Sequence, residues 1–92
     1  MEVFESLQYE RCMSIADRFV KKAEEKYLAG NLQDAVRDYY HASTMYEQAK
    51  ELASEALVLD KKLDAWEKEY YCQEKLDELK RFKNVSTSEV IK

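Results

Sequence analysis

The side chains able to do chemistry are few, and their spacing does not bring them together. There is one histidine, His41, and a zinc site or a His-dependent dyad would need it to meet the distant Cys12 or Cys72. The two cysteines show no C-x-x-C and no Cys/His ligand spacing. A phosphate-cradling loop needs several glycines, and Gly30 stands alone. Carboxylate pairs such as Glu24/Glu25 and Asp77/Glu78 are neighbours in sequence on charged helical faces, which is not the arrangement of a tuned acid/base pair. Di-metal bundles use Glu-x-x-His on facing helices, and the chain has none. We expect no enzyme, no cofactor and no metal. The unusual residue type is tyrosine, of which there are seven. Tyr27, Tyr39, Tyr46 and Tyr70 fall in or beside apolar stripes and read as packing residues with the hydroxyl at the surface. Tyr40 and Tyr71 lie off the stripes and are candidates to face a partner.

Composition narrows the class that must position these residues. Ninety-two residues allow one domain, and the absence of proline with a single glycine argues against a many-stranded β fold. A charged fraction of 37% and short apolar runs exclude membrane insertion. Net charge −4 offers no footprint for nucleic acid. Charge is uneven along the chain: residues 31–58 carry Asp34, Asp38, Glu47, Glu51 and Glu55 against Arg37 and Lys50 only. Such a segment is either an ordinary solvated helix face or a surface that favours a basic partner. The first residues, Met1 to Glu5, lack a basic and apolar signal pattern, so a cytoplasmic location with reduced thiols is expected.

Apolar residues recur at helical spacing along most of the chain. Cys12, Ile15/Ala16, Phe19/Val20, Ala23 and Tyr27 mark one buried stripe of a helix over about 4–29. Gly30 supplies a left-handed stop, and Asn31 with Asp34 a restart, which predicts a tight turn. The second helix, about 32–54, starts a stripe of Leu32, Ala35/Val36, Tyr39, Ala42, Met45/Tyr46, Ala49, Leu52/Ala53 and Ala56/Leu57. Its alanines alternate with large residues, which suits closely approaching helices. The stripe continues through Leu59, Leu63, Trp66 and Tyr70, then drifts to Cys72, Leu76, Leu79 and Phe82. An unbroken helix from 32 to 82 would be about 76 Å long, too long for such a globule. A turn is therefore expected at about 54–61, with Asp60 or Asp64 as N-cap and Asp64-Ala-Trp-Glu67 as a capping box. The expected architecture is an all-α, up-down-up antiparallel three-helix bundle over 1–83, with helices at about 4–29, 32–54 and 61–82. A flexible C-terminal tail would occupy 84–92.

The junction Gly30-Asn31-Leu32-Gln33-Asp34-Ala35-Val36-Arg37-Asp38-Tyr39-Tyr40-His41-Ala42 resembles two related helical hairpins. One is the tetratricopeptide repeat, the other the MIT (microtubule-interacting and transport) domain. Ala16, Phe19-Val20 and Ala23 resemble the first MIT helix, and Lys75-Leu76-Asp77-Glu78-Leu79-Lys80 resembles the close of the third. One hairpin plus one helix is an MIT count, whereas tetratricopeptide arrays need about three repeats to bury a continuous core. The chain departs from the MIT pattern at Tyr27, Leu76 and Cys72-Gln73.

The resemblance implies a non-catalytic adaptor domain acting in protein transport. Its partner would be an amphipathic helical peptide, of the kind found in ESCRT-III-type tails, laid in a groove between two helices. By position Asp77 would pair with a basic residue of that peptide. Met45 and Ala49, with Tyr71, Gln73 and Leu76, would form the walls. Bundle packing and solvation are competing readings of the same residues. An alternative of a different class is a structural module forming homo-oligomers through an intermolecular coiled coil of Leu59, Leu63, Trp66 and Tyr70.

Overall fold

The computed structural model describes residues 6–82, so the tail expected over 84–92 lies outside the described residues. Three helices follow in order: α1 Ser6–Leu28, α2 Leu32–Glu55 and α3 Leu59–Leu79. Central α2 packs against both neighbours. Parallel α1 and α3 meet through long side chains that ascend in step, from Tyr9 with Lys61 to Tyr27 with Glu78. The result is an all-α, up-down-up three-helix bundle, 50 × 21 × 18 Å in extent.

Its core is narrow because alanine lines it. Ala16, Ala23, Ala35, Ala42, Ala49, Ala53 and Ala65 have no exposed surface. Between them fit Val36, Tyr39, Tyr46, Cys72 and Leu79, all buried. Small side chains let helix axes approach, and the few large ones fill the remaining space. One expectation is corrected here. The row Leu59, Leu63, Trp66 and Tyr70 is exposed, and α3 enters the core with Ala65, Cys72, Leu76 and Leu79 instead. Helix α3 is apolar on two faces; the face with the smaller side chains packs into the core, and the bulkier one stays outside.

Both turns close with the same pair of backbone bonds. After α1, Gly30 has φ +85°, its N–H donates to Tyr27 O (3.1 Å), and Asn31 N–H donates to Lys26 O (2.8 Å). After α2, Leu57 has φ 60°, its N–H donates to Ser54 O (3.1 Å), and Val58 N–H donates to Ala53 O (2.9 Å). Each is a Schellman motif, which satisfies the carbonyls at a helix end. The capping expectations need correction as well. Asn31 occupies the N-cap of α2 but makes no side-chain cap bond. Neither Asp60 nor Asp64 caps α3, because its N-cap is Val58 and Asp60 lies in the first turn. The Schellman turn carries the chain from one helix to the next so abruptly that α3 has already begun before either aspartate.

Two ion pairs tie α2 to its neighbours. Lys26 Nζ lies 2.7 Å from Asp38 Oδ2, and Lys50 Nζ lies 2.9 Å from Glu69 Oε1. The bond to the buried Asp38 carboxylate raises the Lys26 pKa. A buried carboxylate needs such a partner, since desolvating it alone is costly.

Candidate peptide-binding groove

The flank between α2 and α3 is located by two side-chain bonds. Gln73 Nε2 donates to Ser43 Oγ at 2.8 Å, and Lys50 Nζ donates to Glu69 at 2.9 Å. Residues three, four and seven positions from these contacts share their face of each helix. On α2 that places Tyr40, Glu47 and Ser54 along the edge, with Glu51 four residues after Glu47. On α3 it places Trp66, Tyr70 and Asp77, and the row continues at the same spacing through Leu63, three residues before Trp66, and Leu59, four before Leu63. Fractional exposure is 64% for Leu59, 51% for Leu63, 48% for Trp66 and 53% for Tyr70. Trp66 and Tyr70 stack with ring centroids 5.7 Å apart, so the row presents a flat aromatic surface. At the turn end it runs into a recess of about 290 Å³ lined by Ala53, Ser54, Leu57, Val58, Leu59 and Lys62.

Acidic residues frame this row. Glu47 and Glu51 from α2 and Glu67 and Glu74 from α3 are exposed and have no basic partner among the described residues. Among the described residues Asp77 pairs with Lys80, the C-cap of α3, at 3.3 Å. An apolar strip between unpaired carboxylates favours a ligand that is apolar on one side and basic at its margins.

The opposite flank of α3 is closed. Tyr9 Oη donates to the Lys61 carbonyl (2.9 Å), Tyr71 Oη to Glu24 (2.8 Å) and Tyr27 Oη to Glu78 (3.1 Å). Lys75 Nζ lies over both the Tyr27 and Tyr71 rings, at 5.6 and 5.7 Å. Burial, then the bond to Glu24, pushes the Tyr71 hydroxyl up to about 12. Burial likewise pushes the Cys72 thiol up to about 12, which leaves it without nucleophilic character at neutral pH. Exposed His41 lies against Phe19, with ring centroids 5.3 Å apart. Among the described residues, no three His, Cys, Asp or Glu side chains are grouped to hold a metal ion. No described helix is long and apolar enough to cross a membrane.

No protein family, curated protein or solved structure matches the chain. The residues themselves therefore carry the functional argument.

The six residues expected to line the groove fall in different places. Gln73 and Asp77 lie on the α2/α3 flank. Ala49 and Leu76 are core residues, with 0% and 7% exposure. Met45 is half-buried against the core. It lies four residues after His41 and seven after Asp38, so it shares the side of α2 that faces α1. Tyr71 points across the other flank of α3 to Glu24. These residues do not make one wall. The exposed apolar row on α3 is Leu59, Leu63, Trp66 and Tyr70 instead. Their spacing is visible in the sequence, but an apolar helical row reads equally as core or as coiled-coil seam.

Proposed function

We propose that this domain is a non-catalytic interaction module that takes a basic amphipathic helix in the groove between α2 and α3. The observation that carries the reading is the exposed row Leu59, Leu63, Trp66 and Tyr70, framed by carboxylates of which Glu47, Glu51, Glu67 and Glu74 lack basic partners among the described residues. A helix laid along this groove would bury its apolar anchors on the row, with Lys or Arg against Glu47, Glu51, Glu67, Glu74 and Asp77. The hairpin resemblance to MIT domains supports the same class, a cytoplasmic adaptor for ESCRT-III-type tails. Trp66 is the expected centre of binding, because tryptophan in a shielded apolar patch commonly dominates an interface.

Titration of the isotopically labelled protein with a basic amphipathic tail peptide tests this. Amide shifts on α2 and α3 and a blue shift of Trp66 fluorescence are expected. Trp66→Ala and Asp77→Lys should each weaken binding, Trp66→Ala by about tenfold or more. Since Trp66 is half exposed, its removal should lower the melting temperature without unfolding the helices, which circular dichroism checks. Absence of any shift at millimolar peptide would sink the reading.

A second reading uses the same exposed row for contact between two α3 helices of different copies. Parallel pairing would bring Glu67 and Glu74 of both copies together, which like-charge repulsion opposes. Peptide docking is the better match to this charge pattern.

A further inference from the structure

The outer face of α1 is the electrostatic counterpart of the groove. Arg11, Arg18, Lys21 and Lys22 are exposed and have no acidic partner among the described residues. Lys22 Nζ lies 5.7 Å from the Phe19 ring centroid. Arg11, Ile15, Arg18 and Lys22 form a row at spacing i, i+4, i+7, i+11. Leu59, Leu63, Trp66 and Tyr70 repeat that spacing on α3. Each row is therefore about 16 Å long and nearly straight. Beside the basic row is a recess of about 210 Å³ lined by Ile15, Arg18, Phe19 and Lys22. One face thus offers cations with an apolar margin, and the other offers aromatic rings with an acidic margin.

We propose that the groove of one copy receives the α1 face of a second copy, so that the chain assembles head to tail. The proposal rests on reading the groove as a docking surface, and it names a second occupant. Arg18 would stack on the Trp66–Tyr70 pair, since a guanidinium favours aromatic faces. Arg11, Lys21 and Lys22 would meet Glu47, Glu51, Glu67 and Glu74, while Ile15 covers part of the leucine end. Because the two surfaces differ, the contact is heterologous. Every added copy leaves one free groove and one free α1 face, so growth continues unless the rotation closes a ring.

Sedimentation velocity at low salt tests this with the wild type and two double variants. Arg18→Ser/Lys22→Ser removes the α1 face, and Leu63→Ser/Trp66→Ser removes the groove. Both pairs are surface positions, and circular dichroism checks that each variant retains its helices. Wild type should sediment faster with increasing concentration and revert to monomer in 1 M salt, where the Debye length is about 3 Å. Each variant alone should remain monomeric. Mixed together they should form a dimer and nothing larger, because only one intact groove and one intact α1 face remain to pair. A wild-type chain that stays monomeric at millimolar concentration overturns the proposal. So does self-association of the α1-face variant, which would instead reveal a symmetric α3 contact. Peptide binding by a strictly monomeric chain would leave the docking function standing while removing this inference. Assembly without peptide binding would do the reverse.

Discussion

Both hairpins of the bundle end their first helix with the same backbone hydrogen bonds, yet the left-handed position holds glycine in one and leucine in the other. Gly30 has φ +85° and Leu57 has φ 60°. Glycine adopts that conformation freely, whereas an L-residue with a Cβ is disfavoured there by about 1–2 kcal/mol. Leu57 does not offset this by packing, since 89% of its surface is exposed. Its strain is carried by the hairpin around it: the Lys50–Glu69 ion pair, the Gln73–Ser43 bond and the buried Ala53 and Ala65. In the first hairpin, local sequence and tertiary packing ask for the same turn. In the second, packing alone imposes it, and the helices it joins also present the exposed apolar row.

The hairpins differ again in the ionisable groups they bury, and this difference should produce the largest measurable effect. Cys72 of the second hairpin is fully buried, and its pKa is pushed up to about 12. Tyr39 and Tyr46 on the shared helix are raised still further, mainly by burial, and for Tyr46 also by its bond to Asp17. The native state therefore keeps protons that the unfolded chain releases near pH 9 to 10. Stability from these groups is fully present below about pH 9 and is lost as pH rises through their native values. Each proton retained only by the native state contributes a slope of about 1.4 kcal/mol per pH unit. Urea unfolding at stepped pH should show a plateau up to about pH 9 and a steep fall beyond it. Cys72→Ala should flatten the fall between pH 9 and 11 more than Cys12→Ala, because Cys12 is raised by burial but pulled back by Arg11. Equal slopes for the two variants would remove the distinction between the hairpin interiors.

The glycine turn provides the next test. No atom lies within 4 Å of where a Cβ on Gly30 would stand, so Gly30→Ala introduces backbone strain and no clash. We expect a loss of about 1 kcal/mol, or about 4–8 °C in Tm for a domain of this size. An unchanged Tm would mean that the turn relaxes, and that its glycine is not what fixes the first hairpin.

These contrasts explain what could be read before folding. The first hairpin is legible because Gly30 interrupts a clean apolar period and Ala16, Ala23, Ala35 and Ala42 mark both facing stripes. The second hairpin shows its existence through length alone, and no residue type announces Leu57 as a turn. The side of α3 that faces inward is harder still. Trp66 and Ala65 are adjacent, and transfer free energy favours burying the indole, yet Ala65 is the one buried and Trp66 is half exposed. The family resemblance points to Leu76 and Ala49 as groove walls and their apolar spacing to the core, and both are buried; Tyr70, which reads as a packing residue, is 53% exposed.

Replacing Leu57 with glycine gives the smallest effect and the sharpest sign. Relief of the left-handed strain stabilises the native turn by about 1–2 kcal/mol. The added freedom of glycine in the unfolded chain removes about 0.5–1 kcal/mol of that. Little apolar contact is lost, because the side chain is 89% exposed. Leu57→Gly should therefore raise stability by about 0.5–1 kcal/mol, opposite in sign to Gly30→Ala, by urea unfolding at pH 7. A destabilised variant would mean that Leu57 makes contacts which its exposure denies, and the contrast between the two turns would fail. A stabilised variant that binds the amphipathic peptide less well would be more informative. Leu57 lines the recess at the end of the groove, so such a result would show that this strained leucine is retained for contact with the ligand rather than for the fold.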